Sequence, residues 1–255
     1  MRSPVNRRDP SGTKRIEREE IARQSTIIRA YAEAMARVAS GEEEGASAPW
    51  LDDEGRVSKL ERLREAMKDD LTASVDDWIN KSSEAAVRTT DKVLNNMHTG
   101  IQLGNVPIPR EEVSMLRTNI LANVSTIPES LFTDVTRLAT QAYQEGWGVK
   151  ETARKMTDLG EVKRSDAERI IRTETMRVVD VVSKTRYEAA GCDGYMSYPT
   201  DDDRLCNHCM AMATGGSGTA LKIYDPSEPM SLPWHPNCRC TRLPHFADDT
   251  EVYTI

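Results

Sequence analysis

The sequence predicts a mainly α protein: an elongated helical body followed by a small α+β, zinc-ribbon-like module at the C-terminal end. Three observations carry this. Up to Gly191, apolar residues recur at three- and four-residue steps, the spacing of one helix face. Beyond Gly191, Gly and Pro become dense and the periodicity gives way to short β-prone runs. Four of the five cysteines then fall between Cys206 and Cys240.

Each element follows from local pattern. Residues 1–13 hold Pro4, Pro10 and Gly12 among charges and read as disordered. From Lys14 to Ser40, Ile27, Ile28, Tyr31, Met35 and Val38 mark one face of a helix. Residues 1–40 carry nine Lys+Arg against five Asp+Glu, a basic arm. The stretch around 41–57, with Glu42, Glu43, Glu44, Asp52, Asp53 and Glu54, reads as an acidic linker. A long helix is expected from Ser58 to about Met97, striped by Leu60, Leu63, Met67, Leu71, Val75, Trp78 and Ile79. His98, Gly100, Gly104, Pro107 and Pro109 break it. A short helix with Val113, Leu116 and Ile120 inward follows. Thr126-Ile127-Pro128-Glu129 has the form of a capping box and predicts a new helix start, ending near Gly146. Val149 to about Leu159 is a further helix, and Ser165-x-x-Glu168 opens another through Ile170, Ile171, Val178, Val181, Val182 and Thr185 to Gly191. Tyr195–Tyr198, Leu221–Tyr224 and Arg239–Leu243 read as short strands.

Composition excludes several classes. Apolar residues make up 38% of the 255, below the roughly 45–50% usual once Gly is included, so the core is thin and completion by partners is expected. No uncharged run exceeds 17 residues, and the one between Arg204 and Lys222 is full of Gly, Ser and Thr, so no membrane span is expected. The polar start (Arg2, Arg7, Arg8, Asp9) shows no secretory signal. A net charge of −7 argues against a general nucleic-acid coat. An odd cysteine count, clustered, fits a metal site in a reducing compartment better than a disulfide framework.

The strongest chemical signal is Cys206-x2-Cys209 followed by His235-x2-Cys238-Arg239-Cys240. A C-x2-C turn can bring two thiolates to one zinc, and a second knuckle completes a tetrahedron. The 25 residues between Cys209 and His235 exceed the spacing of a DNA-reading finger, about 12–15. Five donors compete for four positions: Cys206, Cys209 and Cys238, with either His235 or Cys240 as the fourth. Reduced cysteines buried without a metal are the plainer alternative. Four protein ligands leave no open position, so the zinc would be structural and not catalytic. Its binding energy, about 10–16 kcal/mol in small domains, would become folding energy for a segment short of apolar residues. Arg204, Arg239 and Arg242 stand close enough in sequence to offset the thiolate charge.

Enzyme patterns are missing: no His is followed two residues on by Glu, and H-E-x-x-H, G-x-S-x-G and the Walker A pattern are all absent. Gly215-Gly216-Ser217-Gly218 reads as a flexible loop and Asp201-Asp202-Asp203 as a solvated turn. Arg172-Thr173-Glu174 sits on the apolar face of the last helix, where Arg172 and Glu174 suit an ion pair or a clamp onto the C-terminal module. Two further readings are a nucleic-acid-binding zinc module, for which the basic residues near the cysteines are few, and a nuclease or transferase using Glu174.

Taken together, Arg169-Ile170-Ile171-Arg172-Thr173-Glu174-Thr175, Tyr198-x2-Asp201-Asp202-Asp203-Arg204-Leu205-Cys206-x2-Cys209 and Trp234-His235-Pro236-Asn237-Cys238-Arg239-Cys240 resemble the phage Mu protein F-like family over residues 145–246. Where that family often has Trp, this chain has Tyr198. The resemblance implies a minor head or head-morphogenesis protein of a tailed phage and not an enzyme. It implies portal protein as partner, with major capsid protein and packaged DNA as further ones. The location implied is the virion, inside the head near the portal vertex, after assembly in the host cytoplasm. It also places Arg172, Glu174 and Arg204 in the structural motif. The organisation expected is a disordered 1–13, a helical arm over 14–110, the helical part of the Mu F-like domain over 111–192, the zinc-binding module over 193–246 and a tail over 247–255. That tail is too short for the toxin domains that some members of this family carry there.

Overall fold

The computed structural model describes residues 11–41, 54–97, 101, 103–200, 205–216, 218–228 and 230–247. Six helices and three short strands follow in order: α1 (Lys14–Ser40), α2 (Glu54–Thr72), α3 (Val75–Met97), α4 (Arg110–Glu145), α5 (Val149–Ala189), β1 (Gly194–Tyr198), α6 (Asn207–Thr214), β2 (Ile223–Tyr224) and β3 (Thr241–His245). The protein is thus mainly helical, with a small antiparallel sheet near its C-terminus. Among the described residues no helix is long and apolar enough to cross a membrane.

The helix boundaries differ from those the sequence patterns suggest. The long helix expected from Ser58 is two, α2 and α3, parted by a turn at Ala73 and Ser74. The opposite happens downstream, where both capping boxes lie inside continuous helices. In α4, Thr126 Oγ1 does not cap a helix start; it donates to the carbonyl of Asn123 at 2.7 Å. Pro128 is internal and costs one helical hydrogen bond. Its neighbours Ile127 and Leu131 are fully buried, and each such burial contributes about 1.5–3 kcal/mol, enough to carry the helix through. In α5, Ser165 starts nothing, and Gly160 does not stop the helix. A Cβ on Gly160 would stand 3.2 Å from the Cβ of Ala32, so glycine lets α1 and α5 come close. Val113, expected inward, is 37% exposed, while Leu116 and Ile120 are buried as expected.

The chain divides into two compact units. One comprises Glu19–Asp76 and Thr118–Ile170. It buries Ile28, Ala32 and Met35 of α1, Leu60, Met67 and Leu71 of α2, and Ile120, Val124, Leu131 and Val135 of α4. Three of its cations, Arg23, Arg29 and Lys163, face protein groups of the same unit. Arg23 reaches Glu20 and the carbonyls of Asp70 and Leu71, and Arg29 faces Glu161 at 3.7 Å. Lys163, nearly buried, holds Asp134 at 2.8 Å.

The other unit comprises Met1–Arg18, Asp77–Arg117 and Ile171–Ile255. Its sheet has the order β2-β1-β3, with Tyr195 opposite both Tyr224 and Pro244. Pro244 is tolerated because β3 is an edge strand. Gly194 is required by close packing: a Cβ there would meet Ile223 at 2.8 Å and the Tyr224 carbonyl at 3.0 Å. The core of this unit joins Val93 and Leu94 of α3 and Tyr187 of α5 to Tyr195, Tyr198, Leu232 and Leu243. Cys209, Cys238 and Cys240 are members of the same core. Ser11 and Thr13 are buried, and Thr89 Oγ1 donates to the Ser11 carbonyl at 3.1 Å. Residues 1–10, 42–53 and 248–255 lie outside the described residues, and with them most of the expected N-terminal, linker and tail segments.

The Lys163–Asp134 pair sets a pH dependence. The Lys163 ammonium holds the Asp134 carboxyl below its ordinary 3.8. A depressed carboxylate contributes stability that is fully present above that ordinary value and is lost as pH falls through the lower, folded value. Asp134→Asn should therefore cost about 1–3 kcal/mol at neutral pH, because a nearly buried ammonium loses its anion. Denaturant titrations at neutral and acid pH should show the gap between wild type and variant closing below about pH 3.8.

Candidate metal centre

The structure brings all five sequence-predicted donors, Cys206, Cys209, His235, Cys238 and Cys240, to the wall of one small cavity. Its free volume is about 20 Å³, room for a single ion or water. Thr200, Leu205, Asn237 and Arg239 complete the lining.

Cys206 and Cys209 are delivered by a helix start, where a zinc ribbon would use a β knuckle. Cys206 is the N-cap of α6, in extended conformation, and its Sγ accepts from the Cys209 amide at 3.4 Å. That amide is one of the donors a helix leaves unsatisfied at its first turn. This hydrogen bond is the main reason the Cys206 thiol sits below its ordinary pKa, and the thiolate is the form that binds metal. Gly215, left-handed at φ 69°, closes α6, so the first glycine of the expected flexible loop is a helix C-cap.

His235, Cys238 and Cys240 come from the segment between Leu232 and β3. Asn237 takes a positive φ of 61° to turn the chain between His235 and Cys238. His235 Nε2 lies 3.3 Å from Cys206 Sγ and 3.0 Å from Cys209 Sγ. Cys209 and Cys238 sulfurs are 3.7 Å apart. Two donor triads result, Cys206–Cys209–His235 and Cys209–Cys238–Cys240, each with its ligand atoms within 4.8 Å of one another, and they share Cys209.

Hydrogen bonds from Cys209 and Cys240 push the Cys238 thiol far down, and the same Cys238 contact pushes Cys209 up. Burial works against the His235 cation, but the Pro236 carbonyl and the Cys238 and Cys206 thiolates outweigh it and raise its pKa. A divalent ion would relieve this crowding. The 3.7 Å between Cys209 and Cys238 suits zinc, whose bonds of about 2.3 Å to sulfur give a tetrahedral edge of about 3.8 Å, while the His235 contacts of 3.0 and 3.3 Å are shorter than the nitrogen–sulfur edge of about 3.6 Å.

α5 holds the second ligand segment from outside. Thr173 Oγ1 accepts from the Asn237 amide at 3.0 Å. Asp180, also on α5, accepts from the Leu232 amide at 3.1 Å and from Arg242 Nε at 2.9 Å and Nη2 at 3.1 Å. The loop that carries His235 is thus pinned at both ends. Thr200 Oγ1 adds a bond to the Arg239 carbonyl at 2.9 Å, and Trp234 Nε1 donates to Ser197 at 3.1 Å.

Other predicted residues sit differently. Glu174 is 2% exposed and pairs along its own helix with Arg177, 3.0 Å away. Arg172 is half-buried on the same turn. Thr173 of the R-T-E stretch reaches the ligand loop. Arg242 does not serve to offset thiolate charge. It is buried, bound to Asp180 and to the Met230 carbonyl at 2.5 Å, and stacked 4.5 Å over Tyr195. Arg204 and Asp201–Asp203 lie outside the described residues. Thr173, Asp180 and Thr200 escape a motif search. Asp180 alone leaves a trace, a single carboxylate inside Val178-Val179-Asp180-Val181-Val182.

Residues 133–243 fit the model of the family described as Phage Mu protein F like protein. The segment takes in part of α4, all of α5, the first two strands, all five donors and the α5 residues that pin the loop. It bears out the resemblance read from the R-T-E helix and the two cysteine stretches, and it reaches further back into α4. No curated protein and no solved structure matches the chain.

Two substitutions test the scaffold. Asp180→Asn should cost about 3–5 kcal/mol in denaturant unfolding, because Arg242 is left buried without an anion. Thr173→Val should weaken zinc binding about 10–100-fold in chelator competition, with Thr173→Ser restoring it, as expected for a group that orients a ligand from outside the coordination sphere.

Proposed function

We propose that this chain is a head-morphogenesis protein of a tailed phage, a minor component of the capsid and not an enzyme. The family match over residues 133–243 supports that class. The observation that carries the molecular reading is the five-donor cluster inside the matched segment. In this reading residues 193–246 form a module locked by one structural zinc. Cys206, Cys209 and Cys238 are ligands, and His235 or Cys240 is the fourth. The ion holds α6 to the segment before β3, and α5 carries that segment through Thr173 and Asp180.

The partner we favour is the portal protein, met inside the head at the portal vertex, with a role in assembly, packaging or ejection. Long helices favour a protein partner, since an amphipathic helix seats its apolar face in a groove. Major capsid protein is the next candidate. Contact with packaged DNA is less favoured. Two cations of the basic arm, Arg23 and Arg29, already face protein groups. Catalysis through Glu174 finds little support, because its carboxylate is buried against Arg177.

Purified under reducing conditions, the full chain should contain about one zinc, and a strong chelator should lower its melting temperature. A chain free of metal whose melting ignores chelator sinks the zinc reading. Expressed together, the chain and portal protein should co-purify, and mass spectrometry of mature heads should find the chain. Absence from heads together with failure to bind portal sinks the assembly reading.

A further inference from the structure

The donor cluster has one ligand too many for a tetrahedral ion. We propose that His235 takes the fourth position beside Cys206, Cys209 and Cys238, and that Cys240 stays outside the coordination sphere as a buried thiol that hydrogen-bonds the metal-bound sulfurs. The inference rests on the zinc reading above and goes further by assigning each donor its place.

The argument begins with the imidazole. His235 Nδ1 lies 2.7 Å from the carbonyl oxygen of Pro236. A carbonyl only accepts, so Nδ1 carries a proton, and Nε2 is the nitrogen left to bind a metal. A ligating His ordinarily has its other nitrogen donating in this way, to a carboxylate or a backbone carbonyl. The free Nε2 faces Cys206 and Cys209 at 3.3 and 3.0 Å. The loop that sets this orientation is pinned through Leu232 and Asn237.

The sulfurs divide accordingly. Cys206, at the helix start, shares a triad with His235 and not with Cys240. An ion held by Cys206 and Cys209 therefore has His235 at hand. Cys238 lies 3.7 Å from Cys209, the length of a tetrahedral edge between two zinc-bound sulfurs, about 3.8 Å. Cys238 and Cys240 both cluster with Cys209 and neither shares a triad with Cys206 or His235, so the 3.7 Å contact with Cys209 is what favours Cys238 as the ligand. The Cys240 sulfur lies within 4.8 Å of those of Cys209 and Cys238, whose thiolates the metal would need. A thiol donor there draws charge from a metal-bound sulfur and serves as a neutral member of the core.

Zinc-edge X-ray absorption on the zinc-loaded full chain distinguishes the arrangements. Three sulfurs at about 2.3 Å and one nitrogen at about 2.0 Å are expected. Cys240→Ser should keep this set, and His235→Ala should lose its nitrogen shell. A four-sulfur shell in the wild-type chain overturns the assignment while leaving the zinc reading intact. Loss of one sulfur in Cys240→Ser overturns it equally. A wild-type chain that takes up no zinc overturns both together.

Discussion

A single buried carboxylate organises the sheet-bearing unit. Asp180 projects from α5 into the core and receives two bonds from Arg242 of β3 and one from the Leu232 amide. One side chain therefore sets the distance from the helix to the sheet and from the helix to the loop that carries His235. Buried ion pairs are poor evidence of net stability, because desolvation offsets much of the attraction, but they can fix geometry. Here the geometry is over-determined. Arg242 also binds the Met230 carbonyl and covers the face of Tyr195, so the guanidinium has few other places to go.

The thin apolar composition takes on a different meaning in this unit. The module after Gly191 is not a bare metal knot, since its sheet packs into a core with α3 and α5. Tyr187, Tyr195 and Tyr198 supply much of the buried bulk. The buried cysteines belong to that core as small apolar groups and line the metal cavity as donors. The module therefore has a packed core of its own beside the donor cluster, where the sequence suggested that a metal would replace one.

Much of this was legible in the residues. The α1 stripe and its ends, the three strand segments, the five donors and their convergence all follow from periodicity, β-propensity and Cys/His spacing. What failed was punctuation. Thr126-x-x-Glu129 and Ser165-x-x-Glu168 satisfy the capping-box pattern, yet both sit in mid-helix, because a local capping preference of about 1 kcal/mol yields to burial of Ile127, Leu131, Ala167 and Ile171. Gly160 breaks no helix because its lack of a side chain serves the approach of Ala32. The role of Arg242 was misjudged for a related reason. Nearness in sequence to a cysteine says nothing about which strand face a side chain takes, and the partner was 62 residues away on α5.

The R-T-E stretch shows how a short helical motif and a distant knuckle form one device. The charged members invite attention, but Glu174 is buried against its own helix. Thr173 does the reaching, and it binds a backbone amide. That amide belongs to Asn237, the described non-glycine residue with positive φ, in the turn that separates His235 from Cys238. A main-chain contact of this kind reads the shape of the turn and not the identity of its side chains. The hydroxyl therefore constrains where His235 and Cys238 diverge, while Asp180 constrains where their segment begins. With both ends set from the same helix, the imidazole and the sulfur have little freedom left to lose on binding an ion. Pre-organisation of this sort lets a site of few residues hold its geometry inside a module of about fifty.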